Sequence, residues 1–211
     1  IAIKKDASGN ILMSKPATPG KENVPTVILQ SHVDMVCEKN NGTEHDFDND
    51  PIETIVENGW LRANGTTLGA DNGIGVAAEL ALLASNDIEH GPIECLFTVD
   101  EETGLTGAFA LKPEMLKSRI LLNLDSEDEG EIFIGCAGGK DTVGTRYYTS
   151  EPAPEGMSAV EITVGGLKGG HSGDDIHRGL GNANKILGRA LWEISNDYPA
   201  ARLVSFDGGN L

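Results

Sequence analysis

The sequence predicts an α/β domain over residues 1–139, followed over residues 140–211 by the start of an α+β domain. Three observations carry that prediction. Residues 27–29, 93–99 and 120–124 are short apolar runs with the length and composition of buried strands. An Ala/Leu-rich stretch at 74–85 stands between the first two, as a helix does between strands of an α/β sheet. After Lys140 the apolar residues alternate with polar ones, the mark of strands with one solvated face.

Residues 1–15 hold a polar turn, Ala7-Ser8-Gly9-Asn10, between two apolar runs, which predicts a hairpin. A loop with Pro16, Pro19 and Pro25 leads into the strand that ends at His32. Residues 37–51 are polar and acidic. Asp46, Asp48, Asp50 and Glu57 have the spacing of a calcium loop, but Pro51 occupies the position that needs a glycine turn. That reading is excluded, and His45 in this loop is read as solvated. Asn58-Gly59 predicts a second hairpin across 52–63. GTTLGADNGIG at 65–75 is neither a P-loop nor a dinucleotide fingerprint. Asp71 and Asn72 precede the helix at 74–85, where an N-cap is the ordinary role. The strand at 93–99 ends in Asp100-Glu101-Glu102. A helical stretch at 108–116 follows, and the strand at 120–124 ends in Asp125. In the second domain, strands are predicted at 142–148, 159–164 and 203–206. A Gly-rich loop with His171 and His177 spans 165–181, and an amphipathic helix spans 181–198.

Composition narrows the class. With 33 acidic against 16 basic residues the formal charge is −17, which argues against nucleic acid or an anionic membrane as partner. No apolar run approaches the roughly 20 residues of a membrane span. Cys37, Cys95 and Cys136 are scattered and odd in number, which fits a reducing, cytoplasmic compartment. Ile1 in place of a starting Met reads as a fragment or processed product, so the first domain is expected to lack its N- and C-terminal parts.

His32 and Asp34 are two residues apart and share a face where the strand ends. A lone His-x-Asp is most often a loop contact. The acids at the other strand ends change that reading. His32/Asp34, Glu101/Glu102 and Asp125 end three strands, and Asp71 stands at a helix start, all on what should be one sheet edge. One His with several carboxylates suits a hydrolytic Zn²⁺, Mn²⁺ or Co²⁺ site. A shared carboxylate holds two ions, and of two adjacent acids one binds metal while the other serves as base.

SHVDM, GTTLGADNGIG, DEETG, the NLDSE stretch with EGEI, GCAGG, KGGHSG and GLGNANK occur in that order. On these motifs, over residues 1 to 211, the chain resembles the co-catalytic metallopeptidases of the aminoacylase and glutamate-carboxypeptidase type, and within them the aminoacyl-histidine dipeptidase branch. The resemblance implies a catalytic domain with a mixed sheet flanked by helices (residues 1–139), then the first part of a lid and dimerisation domain (residues 140–211). It implies two divalent metal ions, zinc first, with cobalt or manganese as alternatives. His32 and Asp125 would bind one metal, Asp71 would bridge both through a residue whose bond to Asn72 is cis, and Glu102 would bind the second. Asp34 would orient His32, Glu101 would be the general base for a metal-bound water, and His171 in the lid would polarise the scissile carbonyl. His90 and His177 are left structural. The substrates implied are Xaa-His and other unblocked dipeptides, and the assembly implied is a homodimer through the lid. One departure stands out: the family's second metal also takes a His from a Gly-rich segment, and none follows Asp125 here. An N-acyl amino acid deacylase on the same scaffold is the competing reading, and for this fragment alone, which is expected to be inactive without the rest of the parent protein, a non-catalytic metal-binding fragment is a third.

Overall fold

The computed structural model describes residues 1–126, 128–136, 138–140, 142–170 and 175–208. It divides into two compact units, Ile1–Phe133 and Ile134–Leu211, a few residues before the change of pattern at Lys140.

The first unit is built on a five-stranded mixed sheet of order β1-β2-β6-β3-β7. β1 (Ala2–Lys5) and β2 (Ile11–Lys15) form the expected hairpin, and Asp6 Oδ1 accepts the N–H groups of Ser8, Gly9 and Asn10 across its turn. β2 pairs antiparallel with β6 (Ile93–Thr98). β3 (Val27–His32) runs parallel to both β6 and β7 (Ile120–Asn123). Three parallel strands therefore end on one edge, and each of the acid-bearing segments leaves from that edge.

Period-two alternation sorts the core into two layers. Cys95, Phe97 and Ile93 pack with Leu83 of α1 (Ala70–Ala84), and Leu29 and Val76 lie against them. Leu12, Ile28 and Leu96 face the other way, against Leu111, Met115 and Leu116. β6 is buried along its whole length, as its continuous apolar run implies. Glu94 is buried in the second layer, and its Oε2 accepts the N–H of Lys117 at 3.0 Å. The expected second hairpin is β4 (Thr54–Glu57) and β5 (Trp60–Ala63), a separate two-stranded sheet. Asn58 and Gly59 turn it with φ of 53° and 82°.

Two local expectations change. The helix predicted from residue 74 begins at Ala70, so Asp71 lies inside its first turn, with non-helical φ and ψ at Asp71 and Asn72. The stretch predicted as helix over 108–116 holds only the end of α3 (Thr106–Ala110) and a 3₁₀ turn at Pro113–Met115, and a further short helix, α2 (Glu101–Gly104), precedes it. Pro113 cannot continue an α-helix from Leu111 because it lacks an N–H.

The second unit, taken by itself, holds a 3₁₀ turn at Ile176–Arg178 and α4 (Ala183–Asp197). Asn182 caps α4 by accepting the Lys185 N–H at 2.8 Å. The strands predicted at 142–148, 159–164 and 203–206 are not formed among the described residues. Alternation marks a face that would suit a sheet, but a strand also needs a neighbour for its N–H and C=O groups. These segments stay exposed: Tyr147, Val160 and Val204 are largely open to solvent. Among the described residues no helix is long and apolar enough to cross a membrane.

Candidate metal centre

His32 is the last residue of β3 and is only 1% exposed. Its Nδ1 lies 2.9 Å from the backbone oxygen of Asp34. A carbonyl only accepts, so Nδ1 carries a proton and Nε2 is the ring nitrogen turned toward the carboxylates. The Asp34 carboxylate stands further off, with Oδ1 at 3.5 Å from Nδ1. Its Oδ2 instead accepts the Glu102 N–H at 3.0 Å. Asp34 thus holds the imidazole through its carbonyl and the start of α2 through its carboxylate. Burial raises the Asp34 pKa, the N–H donors of Glu101 and Glu102 lower it, and the net shift is downward.

Four carboxylates gather around His32 Nε2 and the edge beside it. Asp71 Oδ1 is 3.0 Å away, Asp125 Oδ1 3.4 Å and Glu101 Oε2 4.0 Å. Glu102 joins from α2: ligand atoms of His32, Asp71 and Glu102 all lie within 4.8 Å of one another. The backbone brings them there. Asp100 has φ of 59°, which folds the chain back at the end of β6 so that α2 starts over the sheet edge. The peptide bond between Asp71 and Asn72 is cis.

The electrostatics are those of acids forced together. Burial, then the charges of Asp125, Asp71 and Asp34, raises the Glu101 pKa against the pull of His32. Glu102 is raised by burial and by Asp71 and Glu101. Asp125 is raised by burial and Asp71, although Asn72 and His32 pull it down. For His32, burial opposes protonation, but Asp125, Asp71 and the Asp34 carbonyl outweigh it and the net shift is upward. A divalent cation fits this donor set. It would replace the shared proton on His32 and relieve the repulsion that raises three carboxyls. The donor chemistry, one imidazole with oxygen ligands, is that of hydrolytic zinc, manganese or cobalt.

His32, Asp34, Asp71, Glu101, Glu102 and Asp125, each singled out in the sequence, therefore meet at one edge. His171 lies outside the described residues. His90 is remote in role: its Nδ1 meets the Gly91 carbonyl at 2.8 Å. Two buried residues stand beside the centre: Asn72, read from the sequence only as an N-cap, and Glu79, which sequence reasoning passed over. Asn72 donates through Nδ2 to Asp125 Oδ1. Glu79 is fully buried one face-repeat further along α1. Its signal was available: a Glu inside GVAAELALLA, four residues after Gly75 and so on the same helical face.

The sequence pattern of Peptidase family M20/M25/M40 matches residues 28–176. The cytosol non-specific dipeptidase of Escherichia coli strain K12 is 51% identical over 209 residues, which cover 99% of this chain and 43% of that protein. Among solved structures, the aminoacylhistidine dipeptidase of Vibrio alginolyticus superposes with a TM-score of 0.64 at 47% identity, covering 93% of this chain and 40% of that one. The aminopeptidase PepT of Bacillus cereus superposes with a TM-score of 0.50 at 29% identity, covering 60% of this chain and 34% of its own. The chain spans less than half the length of each of these relatives.

Proposed function

The chain belongs to Peptidase family M20/M25/M40, and on that premise we propose that its sheet-edge centre serves a metal-dependent dipeptidase acting on Xaa-His and other unblocked dipeptides. The observation that supports this reading best is the convergence of His32, Asp71 and Glu102 within 4.8 Å, with Glu101 and Asp125 facing the same imidazole. The names of the Escherichia coli and Vibrio alginolyticus relatives support the dipeptide substrate and the histidine preference. The word cytosol in the first name supports a cytoplasmic location.

His32 and Asp125 would hold one divalent ion, Asp71 would bridge, and Glu102 would hold a second; zinc is the first choice. Such ions supply Lewis-acid polarisation of the peptide carbonyl and lower the pKa of water toward ~7. The remaining work falls to side chains of this chain. Glu101 takes the proton from the attacking water and returns it to the leaving amine. Its raised pKa brings it nearer to neutral pH, where a base both accepts and gives up a proton readily. Asp34 keeps the His32 tautomer fixed and holds Glu102 in place from the same side chain. His171 would donate to the oxyanion, and the second domain would form the homodimer contact; both are proposals from the family resemblance.

The test is hydrolysis of Ala-His by the complete enzyme that contains this chain, with zinc and after chelation. Histidine release that needs metal supports the dipeptidase. Release of acetate from N-acetyl amino acids without cleavage of Ala-His would instead support the deacylase reading. Zinc calorimetry adds a second check: one ion should bind tightly and a second weakly, since the second site has only Asp71 and Glu102 here. Two equally tight sites would contradict that division.

A further inference from the structure

The helix that opens beside the metal centre also buries a carboxyl group that the proposed chemistry leaves unused. Glu79 is 0% exposed, and neither of its oxygens has a hydrogen-bond partner among the described residues. A buried polar atom left unpaired loses its hydration without a replacement bond. Ser31 Oγ, Asn72 Oδ1, Asp34 Oδ1, His45 Nε2 and Glu94 Oε1 share the condition, and the Ser31 and Asn72 atoms are the ones beside Glu79. Glu79, Ser31 and Asn72 border the seam between α1 and β3. Asn72, Gly75 and Glu79 follow one another at helical spacing on the buried side of α1. Gly75 marks where they meet. A Cβ placed there would collide with Asn72 Oδ1 and come within 3.1 Å of Ser31 Cβ. Ser31 is also the one polar side chain whose pull opposes the burial of Glu79. The other end of Asn72 is engaged, with Nδ2 donating to Asp125 Oδ1.

We propose that Glu79 is a positioning residue which, as a neutral carboxylic acid, heads a hydrogen-bond relay through Ser31 and Asn72 to Asp125. The directions follow from what each group can donate. The Glu79 O–H donates to Ser31 Oγ. The Ser31 hydroxyl, having accepted, gives its own proton to Asn72 Oδ1. With its oxygen held, the Asn72 amide turns its NH₂ toward Asp125, the orientation observed. The relay closes by side-chain rotation at Glu79 and Ser31. A charged Glu79 would break it, because a carboxylate draws the Ser31 hydroxyl to itself and strands Asn72 Oδ1. Burial favours the neutral form and pushes the Glu79 pKa up to about 7. Two titratable neighbours bear on it. Cys95 on β6 is held as a thiol, its pKa pushed up to about 12 by burial and then by Glu79. Lys15 on β2 is occupied by the Leu82 and Ser85 carbonyls at the end of α1.

The relay matters because Asp125 faces His32 Nε2 at 3.4 Å and must keep that aim. Removing a partner that orients a metal ligand typically costs ~10–100-fold in affinity. Ser31 and Glu79 act through Asn72, so the lower end, about tenfold, is expected.

The inference rests on the metal-centre reading, and the test separates the two. Zinc affinity is measured for the full chain and for Ser31→Ala, Glu79→Leu, Glu79→Gln and the Ser31→Ala/Glu79→Leu double variant. The infrared absorption of protonated carboxyl groups is recorded on the same proteins at about pH 6. Ser31→Ala and Glu79→Leu should each weaken zinc about tenfold, and the double variant no more than either alone. Glu79→Gln, whose amide still donates to Ser31, should bind nearly as the parent does. A protonated-carboxyl band should vanish in Glu79→Gln and shift in Ser31→Ala. Unchanged affinity in Ser31→Ala and Glu79→Leu, additive losses, or no band lost in Glu79→Gln would overturn the proposal. If Glu79→Leu does not fold, Ser31→Ala and Glu79→Gln still decide. If the parent binds no zinc, the metal reading fails, and the relay is then judged by the shift of the Glu79 band in Ser31→Ala alone.

Discussion

Two groups of acids in this chain behave in opposite ways. Asp46, Asp48 and Asp50 are close in sequence and lie on an exposed loop, where they satisfy themselves. Asp46 accepts from the Asp48 N–H at 3.0 Å and from Asn49 Nδ2 at 2.8 Å, and Asp50 accepts from the Asp46 N–H at 2.8 Å. Those donors, Asn49 first, hold the Asp46 carboxyl below its ordinary range. Asp71, Glu101, Glu102 and Asp125 come from three separate segments and meet at the end of a buried sheet. Three of them are raised by burial and by one another. Charge count does not separate the loop from the edge. The difference is whether lone pairs find N–H donors locally, or are held together by strand ends with too few donors to go round: among the described residues Asn72 serves Asp125 alone. Only the second arrangement leaves oxygens free for a cation.

The largest effect expected from breaking the edge group is on catalysis. In the complete enzyme, Glu101→Gln should cut hydrolysis of Ala-His by ~10²–10⁴-fold while metal content stays nearly unchanged. Glu102→Gln should lose metal instead. Metal analysis beside steady-state rates decides, and the reverse pattern would exchange the two roles. His171→Ala should lower kcat and kcat/KM together by ~10²–10³-fold, with metal retained, if this side chain donates to the oxyanion.

Next comes the response to pH without metal. Glu101, Glu102 and Asp125 have raised pKa values, as does His32. A group raised on folding contributes stability that is present below its ordinary pKa and lost as pH climbs through the raised one. Chelated protein should therefore melt lower at about pH 8 than at about pH 5. Zinc should abolish most of that difference by neutralising the edge group. Equal melting temperatures across this range would contradict the crowding of acids. Glu79 adds to the same trend from inside the fold. Its pKa rises from 4.5 to about 7, so ionising it costs about 3 kcal/mol at alkaline pH. Glu79→Gln should flatten the pH–stability curve between those two values, as read by urea unfolding.

The smallest effect belongs to the loop group. Asp46→Asn should change stability by less than about 1 kcal/mol and leave zinc binding untouched. A loss of metal in that variant would erase the contrast between the two groups.

Much of the edge was legible residue by residue. Apolar runs with β-branched side chains located β3, β6 and β7, and the polar residues that ended them named His32, Glu101, Glu102 and Asp125. Those features are local: strand length, side-chain period and the point where apolar residues stop. The second unit shows the limit of the same reasoning. Its helix, Ala183–Asp197, was readable because a helix closes its hydrogen bonds within itself. Its predicted strands were not formed, because alternation says nothing about which segment will supply the facing N–H and C=O groups.

By itself, then, the sequence determined the α/β alternation of the first unit, the residues His32, Asp34, Asp71, Glu101, Glu102 and Asp125 that gather at the sheet edge and, through the order of its motifs, the family. The tertiary structure decided what each residue faces. Asp34 turns its carbonyl, not its carboxylate, to His32, because Glu102 N–H claims the carboxylate from a helix 68 residues away. Glu79 is buried against Ser31 rather than solvated, because α1 lays that side on β3. Hydrogen-bond partners distant in the chain are chosen by packing, and packing is a property of the whole sheet rather than of any stretch of it.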